Sequence, residues 1–63
     1  MRRGDLLLVN KNNQKYFICV VEPQYRDTDY IVGTPTFGLV NWILLYHIDE
    51  IVANYTHLFE NRL

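Results

Sequence analysis

Chemistry in this chain would have to run through very few side chains. His47 stands two residues before Asp49, and Glu50 follows. A carboxylate at that spacing can orient an imidazole for proton transfer. The same residues also suit the end of a strand meeting the first turn of a helix, and that is the expected reading. The chain has no serine, so a serine nucleophile is excluded. Cys19 is the only thiol and lies among Ile18, Val20 and Val21. There a cysteine packs as a small hydrophobe, whereas a reactive thiolate needs electropositive, partly exposed surroundings. His47 and His57 are ten residues apart with no cysteine partner, which is not a zinc-ligand spacing. Asp27 and Asp29 lack the frame of a calcium loop. Gly4, Gly33 and Gly38 are isolated and make no phosphate-binding loop. The expectation is a protein that is not an enzyme, with no metal, no cofactor and no small-molecule substrate.

The elements that must position these residues are constrained by size. The chain has 63 residues, of which 49% are hydrophobic and 21% charged, with a net charge of -1. That is one domain spanning 1–63. It is too apolar and too near neutrality to be a disordered tail, and one cysteine cannot make a disulfide scaffold. No apolar run approaches the roughly 20 residues of a membrane helix. A domain near this length buries only about 60% of the surface its unfolded chain exposes. Compensation is expected from a core dense in large side chains or from a second copy of the chain. The apolar stretch at 6–9 is too short for a secretory leader. A lone thiol then fits a cytoplasmic protein. In that compartment Asn54-Tyr55-Thr56 is not a glycosylation acceptor, and Arg3-Gly4-Asp5 is a turn.

The pattern along the chain is mostly β. Gly4-Asp5 turns into strand one at residues 6–9. The polar cluster at 10–14 is a loop of about five residues, and the β-branched and aromatic stretch at 15–22 is strand two. Pro23 ends it. A polar loop follows to Asp29. Tyr30-Ile31-Val32 is a short strand three closed by Gly33, and residues 34–38 are turn chemistry. Residues 39–47 are strand four. Ile48, Ile51, Val52, Tyr55, Leu58 and Phe59 then fall at helical offsets, which predicts a C-terminal helix. Asp49 and Glu50 would sit in its first turn. A 3₁₀ turn over 48–51 followed by a fifth strand is the alternative. The fold class is therefore a small, strongly bent antiparallel sheet of four or five strands with a short C-terminal helix or 3₁₀ turn.

With Gly4-Asp5 leading into strand one, the long loop after Pro23, and a Trp42-bearing strand before Ile48-Asp49-Glu50-Ile51, the chain resembles the SH3-like small-barrel group. The resemblance covers most of the chain as architecture. The acidic loop and paired tryptophans of peptide-binding SH3 domains are not matched, so it implies a barrel and no binding residues.

The faces of the strands say more about function. Val40, Trp42, Leu44, Tyr46 and Ile48 share one face of strand four, and Leu39, Asn41, Ile43, Leu45 and His47 the other. In strand two, Tyr16, Ile18 and Val20 oppose Phe17, Cys19 and Val21. A sheet with one wet face should alternate cleanly. These strands do not, so something is expected to cover both faces: a protein partner, or the chain itself. The first functional expectation is a non-enzymatic interaction protein, a small regulator or inhibitor such as a phage encodes. Tyr25, Tyr30, Phe37 and Trp42 would make the contact, as amphipathic or large aromatic residues do at interfaces. The alternative is a nucleic-acid-binding barrel. Arg2, Arg3, Lys11 and Lys15 against Asp5 give the first fifteen residues a balance of +3, and the remainder carries -4. Tyr16 beside that basic hairpin could stack on a base. A sequence pI of about 6.0 argues against it, because such domains usually exceed about 9.

Overall fold

The structure is a computed structural model, which describes residues 1–37 and 42–60. Strands β1 (Leu6–Lys11) and β2 (Gln14–Glu22) form an antiparallel hairpin from Leu6 opposite Cys19 to Lys11 opposite Gln14. The loop is shorter than the expected five residues. Asn12 and Asn13 alone connect the strands, at φ 54° and 64°. Two successive positive φ angles make a type I′ turn, whose twist matches the strands. Asparagine tolerates that conformation because its short amide can bond locally. The strands therefore run right up to the turn, and Asn10 and Gln14 belong to them.

Strand β3 (Tyr30–Pro35) pairs with β2 and with β4 (Leu44–His47). Gly33 does not close β3, as expected, but lies inside it. A Cβ there would sit 2.7 Å from Ile18 Cδ1 and 3.4 Å from the Tyr46 ring, so the glycine admits two core side chains close to the backbone. The fourth strand is shorter than expected. Trp42 and Ile43 precede it, while Gly38, Leu39, Val40 and Asn41 lie outside the described residues.

The helix expected from Ile48 is not formed. His47 instead caps a 3₁₀ turn (Ile48–Glu50), with its side chain accepting from the Asp49 N–H and Glu50 accepting from the His47 N–H. Ile51 is already extended. The chain continues as β5 (Ile51–Asn54), antiparallel to β1, and only then turns into a short helix, α1 (Thr56–Glu60). The physical reason is the free edge of β1. Ile51-Val52 is β-branched, and pairing it with that edge satisfies backbone groups that a solvent-exposed helix would leave without tertiary support. The helical spacing arose because a 3₁₀ turn and a strand together mimic it.

The result is one five-stranded antiparallel sheet in the order β4-β3-β2-β1-β5. It is curled into a half-barrel, with bulges where β1 meets β5 and where β2 meets β3. The tip of the first hairpin reaches β4: Lys11 Nζ donates to the Leu45 carbonyl at 2.7 Å and lies 4.6 Å from the centre of the Tyr46 ring. Inside the curl, Leu7, Val9, Ile18, Val20, Ile31 and Tyr46 form the core. Each of the five aliphatic members contributes about 1.5–3 kcal/mol on full burial. Tyr46 is wholly buried and its hydroxyl meets that of Tyr16 at 3.1 Å. Burial, and then that hydrogen bond, push the Tyr46 phenol well above its ordinary range. On the other side of β3 the Thr34 hydroxyl is buried without a partner among the described residues.

Candidate interaction surfaces

The residues that suggested proton transfer are committed to structure. His47 Nδ1 accepts the Asp49 N–H at 3.1 Å and also lies 3.4 Å from an Asp49 carboxylate oxygen. One nitrogen cannot accept the first and donate to the second at once. The cap geometry favours the acceptor, which puts the proton on Nε2. The ring also stands edge-on to Tyr30, with centroids 5.0 Å apart. Among the described residues no three His, Cys, Asp or Glu side chains gather as metal ligands.

Among the described residues the buried charged side chain is Asp5, which was expected only as part of a turn. Its carboxylate accepts the Arg2 N–H at 2.8 Å and the Asn54 amide at 3.2 Å. Asn54 Oδ1 in turn accepts from the backbone N–H and hydroxyl of Thr56, whose oxygen accepts the Leu6 N–H. This chain of bonds ties β1, β5 and α1 together at one end of the curl. The Arg2 N–H holds the Asp5 carboxyl below its ordinary value, burial opposes that, and the Asn54 amide adds to it. The network is a clamp with no free group.

The basic residues do not form one patch. Arg2 and Arg3 precede β1, and the Arg3 side chain donates to the Val21 carbonyl. Lys11 and Lys15 flank the turn at the other end of the hairpin, roughly 20 Å away along a strand of six residues. Lys11 is occupied by Leu45 and Tyr46. Tyr16 faces inward, against Tyr46 and edge-on to Phe37. The four expected contact aromatics divide too. Tyr25 stacks beneath Arg26, and its N–H donates to the Tyr30 carbonyl. Phe37 and Trp42 lie at the opposite end of β3 from Tyr30.

What joins these ends is the β3–β4 hairpin itself. Tyr30, Phe37, Trp42, Ile43, Leu45 and Ile48 are six of the ten exposed large hydrophobic residues among those described. Trp42 is 58% exposed and Ile43 67%. Ile43, Leu45 and Ile48 were not among the expected contact residues, and all three are exposed. Their signal was the apolar second face of strand four, which was noted and not converted into residues.

A second surface was also missed. On the outer side of the first hairpin, Leu6, Phe17, Cys19, Tyr55 and Leu58 line a groove of about 510 Å³. Phe17 and Tyr55 meet edge-on at 5.7 Å. Its backbone groups are spoken for: the Leu6 carbonyl accepts from Tyr55, and the Phe17 carbonyl accepts from the Thr36 N–H and hydroxyl. The groove therefore offers apolar contact and one thiol. Its signal was strand two, where Phe17, Cys19 and Val21 oppose an already apolar face. Tyr55 and Leu58 were hidden by their assignment to a helix facing the core.

Among the described residues, no helix is long and apolar enough to cross a membrane. Comparison of the chain with protein-family models, with curated proteins and with solved structures finds no match.

Proposed function

We propose that the chain is a non-enzymatic interaction protein, a small regulator or inhibitor that binds another protein through the β3–β4 hairpin. One observation carries this reading: among the described residues, six of the ten exposed large hydrophobics lie within residues 30–48. Scattered apolar residues on a surface are ordinary, whereas a concentration on one element is the mark of a contact site. The contact is made by side chains. Strand addition along β4 is opposed by Lys11, which already takes the Leu45 carbonyl, and lysine at an edge is a common way of blunting it. An SH3-like barrel is the architecture we assign to this scaffold. The strand order and the 3₁₀ turn between β4 and β5 support it. A cytoplasmic setting is supported by the free Cys19.

The test is capture from a host lysate by the tagged chain, beside Trp42→Ser and Ile43→Ser. A protein retained at moderate salt by the unaltered chain and lost by both variants is the expected result. Capture of nucleic acid that falls steeply with salt, and that depends on Arg2, Arg3, Lys11 and Lys15 instead, overturns the reading.

A further inference from the structure

We infer that the outer edge of β4 is a latched pairing site: the Lys11 amine holds it closed, and neutralising that amine lets two copies of the chain pair through it. The Trp42 and Ile43 side chains play no part in the latch, which concerns backbone groups.

Strand β4 ends the sheet, with β3 on one side only. Its alternate residues therefore turn their backbone groups away from β3. The Ile48 N–H bonds back to Asp29 on the β3 side, while Lys11 reaches the Leu45 carbonyl from the hairpin tip, so Leu45 and His47 are the outward residues. An edge of this kind is a template for pairing with another chain. Here a charged side chain meets each outward residue. Lys11 Nζ donates to the Leu45 carbonyl at 2.7 Å, and the Glu50 carboxylate accepts the His47 N–H at 2.8 Å. One supplies the donor, and the other the acceptor, that an added strand would bring.

The two covers differ in permanence. Glu50 belongs to the capping box of the 3₁₀ turn and sits three residues from the group it covers. Lys11 comes from 34 residues away in sequence, at the end of the other hairpin, and its bond is exposed. Its hold is that bond and the Tyr46 ring, 4.6 Å from the amine. Both depend on the positive charge. Lys11 is therefore the cover that can be released.

The strand behind it selects a second copy as the occupant. β4 is Leu44-Leu45-Tyr46-His47, with no Asp, Glu, Lys or Arg, and Leu45 is exposed. Edge strands commonly carry their own charge against self-pairing. In β4 that protection is lent by other elements. With Lys11 released, an antiparallel β4 related by a two-fold axis meets a strand identical to itself, with donors facing acceptors and no fixed charge to repel it.

Sedimentation equilibrium across micromolar to millimolar concentrations tests this. Lys11→Met keeps an aliphatic stem against Tyr46 and removes the donor and its charge. It should pass from 7.5 kDa to twice that mass at concentrations about tenfold to a hundredfold below any association of the unaltered chain. Lys11→Arg keeps charge and donors and should behave as the unaltered chain does. Amide exchange locates the contact: the Leu45 N–H should slow by about tenfold or more when Lys11→Met associates. A second route leaves Lys11 in place. In a Lys15→Arg chain Lys11 is the only lysine. Acetylating its amine should bring association, whereas reductive methylation, which keeps the charge, should not. Lys11→Met and acetylated chains that both stay monomeric overturn the inference. So does an unaltered chain that associates as readily as Lys11→Met. Association in which the Leu45 amide exchanges as fast as in the monomer overturns it too, since the contact then lies elsewhere. None of these results bears on heterologous binding by Trp42 and Ile43, which the lysate capture reads separately.

Discussion

The two hairpins of this sheet are built in opposite ways. In β1–β2 the turn is two asparagines, and six residue pairs register without interruption. Its inward side chains are sealed in the core, and its tip is polar. In β3–β4 four pairs register, the connection is longer, and Phe37, Trp42, Ile43 and Leu45 face solvent. The first hairpin has a tight turn and an unbroken register, with Phe17 as its one exposed large hydrophobic residue. The second breaks the rule that large hydrophobics belong inside. Departures of that kind gather where function has been traded against local consistency. The difference teaches where to look: β1–β2 supplies stability, and β3–β4 supplies a surface.

That contrast can be broken by mutation. Ile18→Ala in β2 empties a fully buried site and should cost about 2–5 kcal/mol, read as a lower midpoint in urea. A loss that large from Leu45→Ala in β4 would abolish the distinction. Asp5→Ala is next. It leaves the Arg2 N–H and the Asn54 amide without their acceptor, at about 1–3 kcal/mol. The same carboxylate sets a pH dependence. Its folded pKa lies below the ordinary 3.8, so its contribution is complete above that value. It is lost as pH falls through the folded pKa. Urea titrations between pH 7 and acid should show the loss, and Asp5→Asn should flatten it. Asn13→Ala places a Cβ-bearing residue without a helpful amide at φ 64° and should cost about 1 kcal/mol, whereas Asn13→Gly should hold or raise stability. Smallest is Ile43→Ser, within about 0.5 kcal/mol by thermal melting, because the side chain it removes is in water. If Ile43→Ser destabilised the fold as much as Asn13→Ala, the β3–β4 surface would be structural.

Much of the fold was legible because β1, β2 and β3 carry their own local signals. Asp5 before an apolar run, Pro23 after another and the asparagine cluster each act within a few residues. The fifth strand after a 3₁₀ turn was legible only as the alternative to a helix, because its reason for existing is the free edge of β1, some 45 residues back in the chain. Residues 48–59 read alone fit a helix. Gly33 was misread for a similar reason. A glycine in a strand reads as a stop until it is known that Ile18 and Tyr46 need the space above it. The surfaces were half legible. Apolarity on both faces of β2 and strand four announced that something must cover them. The grouping of Leu6, Phe17 and Cys19 with Tyr55 and Leu58 required the β1–β5 pairing.

The hydroxyl of Thr34, buried and without a partner, has a consequence for engineering. Thr34→Val keeps the β-branched shape and removes the group that lost its water on folding, for a gain on the order of 1 kcal/mol. Natural sequences seldom sit at their stability optimum, and here one strand position holds an unused margin. A variant carrying it would tolerate harsher changes at Trp42 and Ile43 while their effect on partners is measured.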